Sequence, residues 1–139
     1  MQIFANVKSL RRERGFLESK SYELPHDVCT LRDLIIALVD VELSAYNRRE
    51  PGEMLKALLS QDEIDRMAEV GKVGFGRIHA QAKADRIKAE ENALQCFEDG
   101  IIRVVAGDDE LTSLDEPVPA QDGVTYTFIR LTFLAGSMW

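Results

Sequence analysis

Cysteine and histidine are scarce in this 139-residue chain, with only Cys29, Cys96, His26 and His79 present. A zinc site needs three or four ligands, and the pair in His26-x-x-Cys29 supplies two. The sparse, widely separated cysteines do not form a disulfide framework and are expected to stay reduced. No apolar run approaches the ~20 residues of a membrane span. The stretch Met1–Val7 already reads as a strand rather than a leader, so a cytoplasmic protein is expected. There is no basic excess either. The net charge of −7 argues against nucleic acid, whose phosphates require a basic face. No internal repeat, low-complexity tract or Ser/Gly linker divides the chain, and its length suits one domain.

The acidic charge that is present is unevenly placed. Residues 1–50 are balanced and residues 51–96 carry −1, while residues 97–139 carry −6. The excess therefore lies in the stretch Phe97–Gly136, which also holds the clearest turn signals and the longest β-rich run. It can act as a solvated face or steer a basic partner.

Apolar alternation from Met1 to Val7 predicts a strand with Met1, Ile3, Ala5 and Val7 on one face and Gln2, Phe4, Asn6 and Lys8 on the other. Ser9–Gly15 suits a hairpin connection, and Phe16–Leu24 a second strand closed by Pro25. Thr30 can cap a helix, with Asp33 at its positive end and Leu31, Leu34, Ile35, Leu38 and Val41 or Glu42 on the 3.6-residue period. That helix is expected to run to about Arg49, before Pro51. Residues 51–96 then form a helical insertion. A short helix carries Met54, Leu55, Leu58 and Leu59, and a capping pattern at Ser60 and Glu63 opens a helix ended by Gly71. Lys72–Gly76 is a turn-like break bearing Phe75, and a longer helix spans about Ala80–Phe97. Asp99-Gly100 ends it. Strands at Ile101–Val105, Glu110–Thr112 and Val124–Phe133 follow, joined by turns at Ala106–Asp109 and Asp122-Gly123.

No set of these residues makes a catalytic constellation. Gly71-Lys72-Val73 departs from the phosphate-loop order, which requires Ser or Thr after the lysine. Asp108, Asp109, Glu110, Asp115 and Glu116 lack the order of a calcium loop and read as turn-forming acids, without a metal. Cys29, near a helix N-terminus, is a candidate reactive thiol with His26 as its candidate base. Arg11, Arg12 and Arg14 form a basic hairpin tip that can contact an acidic partner or the acidic third of a second copy. Arg130, a charge in the last strand, is expected to face outward or pair with an acid.

The order of these elements, with the first and last strands as parallel neighbours, makes an α+β domain. The opening MQIFANV strand, the TLRDLIIALV helix, the AGDDELTSLDEP turn and the VTYTFIRLTFLAG strand together resemble the β-grasp superfamily, which includes ubiquitin and the MoaD and ThiS sulfur carriers. The chain is also similar to uncharacterised bacterial proteins with an FEDG…FIRL…LAG ending. The resemblance implies a ubiquitin-like sheet with one helix across it, built from residues 1–50 and 97–136 around the inserted 51–96. Carriers of that superfamily end in Gly-Gly, whereas here Ala135-Gly136 is followed by Ser137-Met138-Trp139. A carrier role would thus require processing after Gly136.

The expected function is a non-catalytic protein-protein interaction module that needs no cofactor. Its partner surface would be the exposed sheet face with Asp108, Asp109, Glu110, Asp115, Glu116 and Arg130. The alternatives are a carrier using Gly136, and a ligand-binding domain or enzyme with a pocket between sheet and insertion. The expected partner is another protein, neither nucleic acid nor membrane, and self-association is compatible with the sequence.

Overall fold

The structure is a computed structural model that describes residues 1–9, 16–45, 53–72, 79–119 and 121–131. Its strands are β1 (Gln2–Ser9), β2 (Phe16–Glu23), β3 (Ile102–Ala106), β4 (Asp109–Leu111) and β5 (Thr125–Arg130). Its helices are α1 (Leu31–Ala45), α2 (Glu53–Leu58), α3 (Gln61–Lys72) and α4 (His79–Glu98). The strands form one mixed sheet in the order β2-β1-β5-β3-β4. The β1–β5 pair is parallel, with Phe4 opposite Thr125 and Lys8 opposite Ile129, and the other pairs are antiparallel. This is the α+β architecture expected from the sequence, with the first and last strands side by side.

Local chemistry sets the element ends. Thr30 Oγ1 accepts the Asp33 amide at 3.3 Å, and Asp33 Oδ2 accepts the amides of Thr30 at 3.2 Å and Cys29 at 3.1 Å. This reciprocal cap satisfies donors that the first helical turn leaves free. Those amide bonds, that of Cys29 foremost, hold the Asp33 carboxyl below the usual carboxylate range. Ser60 Oγ accepts the Glu63 amide at 3.2 Å. The return half of that cap comes from α4, because Asn92 Oδ1 accepts the Ser60 amide at 2.9 Å while Glu63 turns to Arg66. Helix α4 closes in a Schellman motif, with Gly100 at φ +77°, its amide on Phe97 O, and the Ile101 amide on Cys96 O.

Several boundaries differ from expectation: strand β3 runs Ile102–Ala106 in place of Ile101–Val105, and β5 starts one residue late and ends at Arg130, before Leu131. Helix α3 continues through Gly71 to Lys72. Strand β4 begins one residue early, at Asp109, because Gly107-Asp108 makes a two-residue turn that pairs Ala106 with Asp109. The expected features at Arg11, Arg12, Arg14, Arg49, Pro51, Phe75, Phe133, Gly136 and Trp139 lie outside the described residues.

One face of the sheet carries the core. Ile3, Ala5 and Val7 of β1, Tyr22 of β2, Val104 of β3, and Tyr126 and Phe128 of β5 are buried against Leu31, Leu34, Ile35 and Leu38 of α1. The insertion belongs to this same core: Met54, Leu55 and Leu58 of α2, and the adjoining Leu59, are almost completely buried. Helix α4 contributes Ala89 and Ala93, small side chains that suit a close approach to α1.

Candidate functional site

The alternation that buries Ile3, Ala5 and Val7 sends Gln2, Phe4, Asn6 and Lys8 to the opposite face. The strand registers align them in rows. Ser21, Phe4 and Thr125 form one row; Ser19, Asn6, Thr127, Val105 and Glu110 the next; and Lys8, Ile129 and Arg103 a third. All of these side chains are exposed or half-buried, and Phe4 stands 42% exposed. Among the described residues, Phe4 and Ile87 of α4 are the large hydrophobic side chains left exposed. The face has a middle of hydroxyl and amide side chains with Val105, ending in Glu110 at the β4 edge, with Phe4 towards one end and the cations Lys8 and Arg103 at the other.

The acidic residues expected to form one surface divide into two groups. Asp108, Asp109 and Glu110 are exposed on the β3–β4 hairpin at the edge of this face, where Glu110 Oε2 lies 3.9 Å from Arg103 Nε. Asp115 and Glu116 instead belong to a segment laid along the start of α1. The amides of Leu31 and Arg32 donate to Glu116 O and Leu114 O, and Val118 donates to Cys29 O. Asp115 lies 3.5 Å from Arg32, and Glu116 Oε1 accepts the Thr112 amide at 2.9 Å. The backbone bonds hold the connection against α1, and Glu116 ties it to Thr112.

Arg130 has a role that the sequence did not suggest. Its Nη1 donates to the carbonyls of Lys56 and Ala57 at 2.8 Å and of Leu59 at 2.5 Å, and thereby fastens the C-terminal end of α2 to the last strand. A cation suits that helix end, where carbonyls lack partners and the dipole is negative. Burial pulls the guanidinium below its usual range. Two further polar positions were missed. Glu42, only 7% exposed, accepts Tyr22 OH at 2.6 Å and Lys20 Nζ at 3.1 Å, tying α1 to β2. Between α1 and α4, Arg86 lies 3.6 Å from Asp40 Oδ1, and its Nη2 donates to Ser44 Oγ at 3.3 Å. An acid on the core phase of a helix was the visible signal for Glu42; no signal marked its partners.

Candidate chemistry elsewhere stays dispersed. His26 and Cys29 are exposed near the start of α1, His79 opens α4, and Cys96 is buried in α4. The Cys29 thiol donates to Asp27 O at 3.5 Å, and burial pushes the Cys96 thiol up. Both cysteines are free, and among the described residues no group of His, Cys, Asp and Glu could hold a metal ion. One groove of about 360 Å³ runs beside Phe97, Arg103 and Leu111, and one of about 310 Å³ beside Asp27, Ile36 and Asp40. Neither is lined by His26 or Cys29. Among the described residues no helix is long and apolar enough to cross a membrane. Comparison with known proteins returns no match among family models, curated proteins or solved structures.

Proposed function

We propose that the chain is a non-catalytic protein-protein interaction module of the ubiquitin-like, β-grasp type, acting in the cytoplasm through the open face of its sheet. The strand order β2-β1-β5-β3-β4, the parallel β1–β5 pair and the single helix α1 following the first hairpin support the β-grasp reading. The functional part is carried by one observation. Phe4, 42% exposed, stands on a sheet face lined by half-buried Val105 and Ile129, opposite the face that holds the core. An aromatic ring on a flat surface offers contact area at low entropic cost and is a common anchor in protein interfaces. Asp108, Asp109 and Glu110 at the rim add charge that steers encounter and sets salt dependence.

Affinity capture from the native host with wild-type protein and Phe4→Arg tests this reading. Phe4 points away from the core, so the variant is expected to keep its fold and thermal midpoint. Partners bound by the wild type are expected to be lost. The same partners on both proteins, in the same amounts, would overturn the assignment of this face.

A further inference from the structure

We propose that the open sheet face binds a second copy of this chain, face to face with the strands antiparallel. The proposal rests on the reading of that face as an interaction surface and names its occupant.

The charges are ordered along the strands. At the end where β3 and β5 meet as Ile102 and Arg130, the face carries Lys8 and Arg103. At the other end, where β3 turns into β4 and β5 begins, stand exposed Asp108 and Asp122, while Glu23 of β2 is paired with the N-terminal ammonium at 3.1 Å and Asp109, opposite buried Ala106, lies on the core side of the sheet. Between the ends lie Ser19, Ser21, Asn6, Thr125 and Thr127, which carry no charge, and Glu110 at the β4 edge. A surface positive at one end and negative at the other repels a copy of itself placed parallel and attracts one placed antiparallel.

A two-fold axis lying in the interface, perpendicular to the strands and through the Asn6–Thr127–Val105 row, gives that arrangement. It makes an isologous contact, in which each residue pairing occurs twice. The axis lays β3 over β3 of the second copy in reverse. Arg103, one row beyond the axis, then falls over the Gly107-Asp108 turn, one row before it. By the same operation Lys8 of β1 falls over the ring of Phe4, a cation–π geometry. Glu110 lies in the row on the axis and so meets Glu110 of the second copy, a like-charge contact that Arg103 of each chain, 3.9 Å from its own Glu110, offsets.

The face has the size of a weak, reversible interface. Five strands about 4.8 Å apart and about six residues long cover roughly 500 Å² per copy. Together two copies bury about 1,000 Å², the lower limit for a specific interface. Association is therefore expected to depend on concentration and to weaken with salt.

Sedimentation velocity of the full chain over a wide concentration range, at low and high salt, tests the proposal with four variants. The wild type is expected to dimerise reversibly, more weakly at high salt. Arg103→Glu and Asp108→Arg are each expected to raise the dissociation constant about tenfold or more, because each puts like charges together twice per dimer. The double variant restores both pairs and is expected to fall within about threefold of wild type. Both side chains are exposed, so all three proteins should fold alike. A double variant as weak as its single parents overturns the antiparallel arrangement. A wild type that stays monomeric throughout, while Phe4→Arg still removes other partners, overturns the dimer and leaves the interaction reading standing. If Phe4→Arg changes neither self-association nor capture, both readings fall.

Discussion

Arg130 joins two parts of the chain that lie about seventy residues apart in sequence, through three backbone carbonyls at 2.5–2.8 Å. Replacing it by Met removes the donor and leaves carbonyls at a partly buried helix end without it. The expected cost is about 2–4 kcal/mol in urea unfolding, and Arg130→Lys, which keeps the charge but lacks the fork, should cost less. Tyr22→Phe should cost about 1–2 kcal/mol, since it deletes the 2.6 Å bond to Glu42 while Lys20 continues to hold that carboxylate. Paired melts of Tyr22→Phe with wild type and Glu42→Gln would show whether that bond carries the loss. At this scale the sequence was half legible. Glu42 sits on the apolar period of α1, which marks a buried acid, but hydrogen-bond partners twenty residues away come from the folding of β2 against the helix.

At the scale of elements, the contact between α1 and α4 carries a titrating group. Burial, reinforced by Asp40 of α1 and by Glu91, pushes the Glu90 carboxyl up to about 7, against the opposing pull of Arg86. In the unfolded chain the same group has an ordinary value near 4.5. A raised folded value means that the native state holds a proton which the unfolded state has lost. Its contribution to stability is therefore fully present below about pH 4.5 and is lost as pH rises through about 7. Thermal midpoints should fall between about pH 5 and pH 8, and Glu90→Gln, which cannot ionise, should flatten that slope. An unchanged slope in Glu90→Gln would assign it to other groups. Asp33 acts in the opposite direction and only at lower pH, since its depressed value stabilises the fold until the carboxyl is protonated. The elements themselves were largely legible from sequence. The helix starts at Thr30 and Ser60, the glycine stop at Gly100 and the turn glycines at 107 and 123 all occupy the expected places. Each depends mainly on residues within five positions of one another, as local backbone chemistry does, although the Ser60 cap is completed by Asn92 of α4.

For the whole molecule, the uneven charge and the sheet topology bear on the same question. The acidic third of the sequence does not become one acidic surface: the sheet puts Asp108, Asp109 and Glu110 on an edge hairpin, while Asp115 and Glu116 serve the start of α1. An interaction through the open face should therefore respond to charge changes at Asp108 and leave Asp115 a bystander, and salt-dependent binding by Asp115→Asn compared with Asp108→Asn would separate the two. The insertion also reads differently in three dimensions. Residues 51–96 look like an addition between two halves of a sheet, yet Met54, Leu55, Leu58 and Leu59 lie within the same core as Ile3 and Phe128.

The sequence by itself determined the order and type of the strands and helices, the Thr30 cap and the face of β1 that turns inward, because a period of two or 3.6 residues and a capping side chain act within a single element. It also determined the charge imbalance, which composition carries directly. Only the tertiary structure decided where Arg130 points, which acids stand together, and that Phe4, Lys8 and Arg103 share an open face with Asp108 at its edge. Those relations join residues far apart in sequence, and the strand registers that bring them together are set by packing across the sheet, on which no single segment carries the information.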